Sequence, residues 1–213
     1  MNQHQTTIRE PQRNRLTGDD WVKAGLNMLV AEGVDAVQIT RLAADLDVSR
    51  GSFYWHFDNR ESLLDAMIAR WRAANSDVMD QTLGEAETLT GGMLTLFSIW
   101  VEDERFSPLL DQAMRAWGRL SPTVGEVVGE EDDERVAAIT RFFRRMGYES
   151  GEAMVRARVV YYTQIGYYAL NVEDSMTARL DMLATYFRIF TGREIDEDEA
   201  APFRARQAER ARS

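Results

Sequence analysis

Apolar residues recur along this chain at spacings of three and four, and no stretch rich in Val, Ile or Thr alternates with period two. The pattern predicts helices throughout and no sheet. Trp21, Ala24, Leu26, Met28 and Leu29 supply the apolar face of a first helix. Thr17 or Asp19 can cap it, Asp19-Asp20 suit its positive end, and Gly33 stops it. Leu42, Ala43 and Leu46 mark a short second helix, followed by a turn at Asp47-Val48 with Val48 pointing inward. Ser49 is placed to cap a third helix, its hydroxyl accepting an N–H left unpaired at the helix start. Phe53 and Phe57 lie four apart, share a face, and anchor that helix to a core. Asp58 or Asn59 caps a fourth helix, which Leu63, Leu64, Met67, Ile68 and Trp71 carry to about Gln81. Helices over about 90–104, 107–120, 123–146, 150–171 and 175–191 follow a polar break at Gly84–Gly92. They are punctuated by Ser107-Pro108, Ser121-Pro122, Gly147 and Asn171–Asp174. Residues 1–16 read as a flexible arm and residues 193–213 as a disordered tail.

With the two phenylalanines turned inward, the third helix shows Arg50, Gly51, Ser52, Tyr54, Trp55 and His56 on its outer face. This is the composition of a recognition helix in a helix-turn-helix. Arg50 is suited to bidentate contact with guanine N7 and O6, and Ser52 to a base edge or a phosphate. Tyr54 and His56 offer donors to phosphate. Trp55 suits a sugar or a thymine methyl, and Gly51 lets backbone come close to a surface. Arg60, with the free N–H groups at the start of the fourth helix, is expected to hold a phosphate.

The segment from about Trp21 to Met67, reading GVDAVQITRLAADLDVSRGSFYWHF and then DNRESLL, resembles the TetR family of transcriptional regulators. Tyr54-Trp55-His56 followed by Asn59-Arg60 looks like its tetracycline-repressor subgroup. The resemblance implies an all-α fold: a DNA-binding head over 17–60 with a helix-turn-helix, and a helical ligand-binding and dimerisation domain over 61–192. It also implies a homodimer, a palindromic double-stranded DNA operator, and a small-molecule effector that releases a repressor from it. Ser49 is expected to join the DNA-contacting set. Two positions depart from the family pattern. Gln38 stands where a capping threonine is usual, so Thr40 or Arg41 is expected to make the first phosphate contact. Asp47 stands where glycine is usual.

Helices EAMVRARVVYYTQIGYYALN and MTARLDMLATYFRIFTG are apolar around much of their circumference. Val155, Val159, Tyr162 and Gly166 lie on one stripe, with Val160, Tyr161, Gln164, Ile165 and Tyr168 on adjoining ones. Such a helix must be covered on more than one side. The resemblance implies a four-helix dimer interface built from 150–171 and 175–191, with an ordinary buried core helix as the alternative. Met93, Phe97, Trp100, Met114, Trp117, Phe143, Tyr161, Tyr162 and Tyr168 make the body rich in Met and aromatics. The residues expected to line an effector pocket are Phe97, Trp100, Met114, Trp117, Tyr161, Gln164 and Tyr168. Gln164 and Tyr161 would be its polar anchors, and the effector flat and aromatic or lipophilic.

Net charge is −10, at first sight unfavourable to a DNA partner, but it is unevenly spread. Residues 1–60 hold seven basic and eight acidic groups, and the remaining −9 lies in 61–213. The acidic body would orient the molecule head-first, with few phosphate contacts and salt-dependent binding. Arg9, Arg13 and Arg15 could carry the arm toward a minor groove. Cysteine is absent, which excludes disulfides and thiol chemistry. No signal pattern and no apolar run near the roughly 20 residues of a bilayer span is present, so a soluble cytoplasmic protein with no membrane contact is expected. The two histidines are His4 and His56, and no phosphate loop or nucleophile motif appears. The acidic run Glu130–Glu134 reads as a solvated segment with no second acidic motif to pair with. No enzyme, metal or cofactor is expected. The runner-up reading is a ligand-sequestering or interaction module with a vestigial head, for which Gln38 and the acidic balance speak.

Overall fold

The computed structural model describes residues 16–75, 78–101 and 107–211, and no strand occurs among them. The helices are α1 (Gly18–Glu32), α2 (Ile39–Asp45), α3 (Arg50–Phe53), α4 (Arg60–Asn75), α5 (Val78–Gly84), α6 (Leu89–Val101), α7 (Pro108–Leu120), α8 (Pro122–Arg145), α9 (Ser150–Ala169), α10 (Met176–Thr191) and α11 (Glu197–Arg210). The expected arm with Arg9, Arg13 and Arg15 lies outside the described residues. The stretch expected as one helix to Gln81 is divided between α4 and α5, with residues 76 and 77 not described.

Local chemistry sets the helix ends. Thr17 and Asp20 form a reciprocal box: the Asp20 carboxylate accepts from the Thr17 N–H at 2.7 Å, and the Thr17 hydroxyl accepts from the Asp20 N–H. Gly33 ends α1 at φ 85°, a conformation that costs glycine little and other residues much. Asn59 and Ser62 cap α4 in the same reciprocal way, Asn59 Oδ1 accepting from the Ser62 N–H at 2.8 Å.

The buried apolar side chains form two cores. The head core joins Trp21, Leu42, Phe53, Leu63, Met67 and Trp71, with Phe53 edge-on to Trp21 at 5.3 Å. It does not stop at residue 60, because Met114, Trp117, Val124 and Val128 from the α7–α8 hairpin belong to it. That hairpin is tight: a Cβ on Gly125 would sit 2.9 Å from the Gly118 carbonyl oxygen. The body core gathers Leu96, Ile139, Phe142, Phe143, Val160, Leu183 and Phe187.

Charged groups link α7, α8 and α9 beside these cores. The Arg135 guanidinium donates to Asp111 and to the Tyr161 hydroxyl, both at 3.0 Å. Arg115 bonds Asp132 through both terminal nitrogens (2.7 and 2.6 Å) and Asp111 through Nε (2.7 Å). Tyr161 donates to Asp132 at 2.6 Å. Glu131, 2% exposed, meets Arg72 of α4 at 3.0 Å, and Arg135 lies over the Trp71 ring. The acidic run is therefore not wholly solvated as expected. It lies on α8, where Glu131 and Asp132 turn inward because arginines on α4 and α7 meet them.

A second correction concerns the tail, expected to be disordered. Residues 197–210 form α11, capped by Asp196, whose carboxylate accepts from the Asp198 N–H at 2.9 Å. Ala200, Phe203 and Gln207 form a thin buried stripe, and Phe203 packs edge-on against Phe97 of α6 at 5.8 Å.

Candidate functional site

The outer surface of the head is shaped by the α2–turn–α3 segment. Gln38 occupies the start of α2 without a side-chain cap, its amide donating instead to the Asp35 carbonyl at 3.1 Å. Asp47 takes the left-handed conformation (φ 52°) that the turn needs, and the Val48 N–H closes it on the Ala43 carbonyl at 2.9 Å. Val48 packs against the head core as expected. Ser49 stands at the cap position of α3, but its hydroxyl accepts no helix N–H. The first turn closes instead through the Ser49 carbonyl, which accepts from Ser52 at 3.0 Å. The α3 helix is one regular turn, extended as hydrogen-bonded turns through Phe57.

Phe53 is fully buried and Phe57 packs beside it at 5.5 Å. Tyr54 is therefore 53% exposed and Trp55 80% exposed, while Arg50, Gly51, Ser49 and Thr40 are exposed and Ser52 and His56 half-buried. A Cβ on Gly51 would meet only the Ser49 hydroxyl at 3.6 Å, so that backbone faces open space. One surface thus presents a guanidinium, hydroxyls, an imidazole and an indole, all able to donate hydrogen bonds. Arg41 is exposed but already paired with Glu32 at 2.5 Å. Arg60 corrects an expectation: its Nε donates to the Val37 carbonyl at 2.6 Å and its Nη2 to the Val34 carbonyl at 2.7 Å. It staples α4 to the turn after α1, with two of its three nitrogens committed to backbone carbonyls rather than to a phosphate.

The residues expected to line one effector pocket are not brought together. Phe97, Trp100 and Gln164 border a cavity of about 70 Å³ between α6, α9 and α10. Tyr168 and Trp117 border a separate hollow of about 480 Å³ between the end of α1, α7 and α9. The Tyr168 hydroxyl donates to the Trp100 carbonyl at 3.1 Å. Met114 is fully buried in the head core. Tyr161 belongs to the ionic cluster and is no anchor of the α6–α9–α10 cavity. Burial raises its phenol pKa, the Arg135 charge opposes this, and the Asp132 charge and hydrogen bond reinforce it. Arg179 and the Tyr167–Tyr186 pair, hydroxyls 2.8 Å apart, border the small cavity and were not singled out from sequence. An arginine among aromatics on a helix with an apolar stripe was the available signal.

A helix-turn-helix head with an exposed polar second helix on an all-helical body defines the architecture of a helix-turn-helix regulator. A family model described as "Bacterial regulatory proteins, tetR family" matches residues 22–67. The class A tetracycline repressor from transposon 1721 of Escherichia coli is 25% identical over 154 residues, covering 68% of this chain and 62% of that protein. The class D tetracycline repressor of Escherichia coli is 31% identical over 72 residues, 34% of this chain and 33% of that one. A crystal structure of a TetR-family transcriptional regulator from Mesorhizobium loti MAFF303099 shares the fold, with a TM-score of 0.52 and 16% identity over 91% of this chain and 94% of that one. Residues 22–67 are thus similar to the DNA-binding segment of the tetR family of bacterial regulatory proteins. The chain's alignments span less than two thirds of these two repressors' own lengths. Among the described residues no helix is long and apolar enough to cross a membrane, and no three His, Asp or Glu side chains are grouped to hold a metal.

Proposed function

We propose that this protein is a homodimeric, DNA-binding transcriptional regulator, a repressor released from a near-palindromic operator by a small-molecule effector. The carrying observation is the outward display of Tyr54 and Trp55 while Phe53, their neighbour, is completely buried. Exposed aromatics beside an unshielded arginine are costly on a surface that meets only water. They suit one that meets sugars, phosphates and base edges. Arg50 reads a guanine, Tyr54 and His56 hold phosphates, and Thr40 and Ser49 add hydroxyls at the edge of the contact. The tetracycline repressors that resemble this chain support the same reading.

Dimerisation is supported by the outer face of α9. Val155, Val159 and Tyr162 are exposed at 56%, 45% and 53%, nothing lies within 4 Å of a Cβ on Gly166, and Ile189 of α10 is exposed as well. A second copy covers this stripe and sets two α3 segments about 34–36 Å apart, one turn of duplex. Response to an effector then requires unequal affinity for the DNA-competent and incompetent arrangements. The shared head core and the ionic cluster give α7, α8 and α9 a mechanical route to α1 and α4. No catalytic role is proposed.

Selection of duplexes from a random library at low salt, followed by anisotropy titration, tests the reading. Arg50→Ala is expected to weaken binding about 5- to 150-fold per half-site, from about 1–3 kcal/mol for a bidentate guanine contact. Tyr54→Ala weakens it similarly, with fold and dimer unchanged. Log affinity falls steeply with log salt. No duplex enriched at low salt, or binding unaltered in both variants, refutes the proposal and favours a vestigial head.

A further inference from the structure

The small cavity between α6, α9 and α10 has an apolar wall with two unusual polar features. The Gln164 amide nitrogen is wholly buried and has no hydrogen-bond partner. Interiors rarely leave such a donor unmade unless a ligand or water completes it. Arg179 is the one charged residue bordering the cavity among the described residues. Its guanidinium lies over the Tyr167 ring at 5.5 Å and gives its Nε to the Asp174 carbonyl at 3.3 Å. The terminal nitrogens of that fork are not used in this bond. No carboxylate lines the cavity itself, and that of Asp174 lies beside the Tyr167 hydroxyl at its rim.

Resting on the proposed function, we infer that this cavity binds a flat aromatic carboxylate of one or two rings. The carboxylate is held by the Arg179 fork and the Gln164 amide N–H, and the ring by Phe97, Trp100 and Tyr186. A guanidinium fork matches a carboxylate in two parallel hydrogen bonds, and this geometry is poor for a cation or an uncharged ester. The free space is about 70 Å³ and partly open to solvent, below the roughly 150 Å³ cavity that takes benzene. Binding therefore widens the gap between α6 and α10. Met93 and Met182, which border it, are the side chains able to yield without strain. An acid of one or two rings needs less widening than a large polycyclic molecule.

Calorimetry on the full-length protein without DNA uses benzoate and 2-naphthoate, their methyl esters, and (2-naphthyl)methylammonium as probes. The expected result is that at least one carboxylate binds, more than ten-fold tighter than its ester or the ammonium compound. Arg179→Met removes that preference and leaves ester binding unchanged. Gln164→Leu, which fills the wall with an apolar side chain, weakens the carboxylate several-fold and keeps the fold intact should Arg179→Met fail to fold. Equal binding of acid and ester, an unaltered preference in either folded variant, or no binding by any probe overturns the inference. A bound carboxylate that leaves operator affinity unchanged would retire the effector-response reading while leaving this site in place.

Discussion

Asp111 and Arg135 form an ion pair on which the arrangement of α7 and α8 can be tested by charge alone. Asp111 is 1% exposed and Arg135 4% exposed, so solvent screens neither. Asp111, Asp132, Arg115 and Arg135 together carry two negative and two positive charges, bonded at 2.6–3.0 Å. Asp111→Asn keeps the shape and leaves two guanidinium groups sharing one carboxylate. Arg135→Met keeps the length and leaves two carboxylates sharing one guanidinium. Breaking a buried pair from one side costs about 3–5 kcal/mol, because the abandoned charge stays desolvated. Independent effects would make the double variant cost about 6–10 kcal/mol, comparable with the whole stability of a typical domain at about 5–15 kcal/mol. The double variant restores neutrality, with Arg115 still bonded to Asp132, so its cost should not exceed that of either single variant. Urea unfolding of the full chain at neutral pH, followed by far-ultraviolet circular dichroism, reads this directly. At a slope of roughly 2 kcal/mol/M, each single variant lowers the midpoint by about 1.5–2.5 M. Losses that simply add, with coupling below about 0.5 kcal/mol, would refute the claim that these charges act as a unit.

Arg60→Met should cost about 1–3 kcal/mol in stability through the lost bonds to the Val34 and Val37 carbonyls. It should also change operator affinity far less than Arg50→Ala when both are measured well below their melting points. Tyr161 gives an alkaline signature: its phenol pKa is raised by burial, so between the unfolded value near 10 and the folded one only the native state keeps the proton. That contribution is complete below pH 10 and is lost as pH rises through the folded value. The urea midpoint should therefore fall less steeply above pH 10 in Tyr161→Phe than in the parent. Phe203→Ala should destabilise α11 by about 3–5 kcal/mol and expose the bonds after Arg204 and Arg206 to trypsin while the head stays protected.

Helix positions were legible wherever three- and four-residue apolar spacing met a capping residue or proline. The spans at Pro108, Pro122 and Ser150 begin within a residue or two of expectation. The α11 helix was missed because its buried stripe is one aromatic, one alanine and one glutamine among charges, with Pro202 inside. In the head, the inward pair Phe53 and Phe57 dictated which side chains face out, so the exposed surface could be read residue by residue. Arg60 could not, because which carbonyls lie within its reach depends on how α4 docks against the turn after Gly33. The same limit hid the pairing of Glu131 and Asp132, which sequence shows only as part of an acidic run. The lining of the small cavity depended on the packing angles of three helices that no spacing encodes.

The α9 helix carries Tyr161 in the ionic cluster, Gln164 at the cavity and Val155, Val159 and Tyr162 on its bare outer side. On the proposed reading, a single stiff rod is shared by effector, partner subunit and head. Energetic linkage between them must then run both ways: operator duplex weakens the effector by the same factor that the effector weakens operator. Replacements in the segment 155–164 should consequently be pleiotropic, and variants locked in one response should cluster on this rod rather than on the DNA-facing side chains.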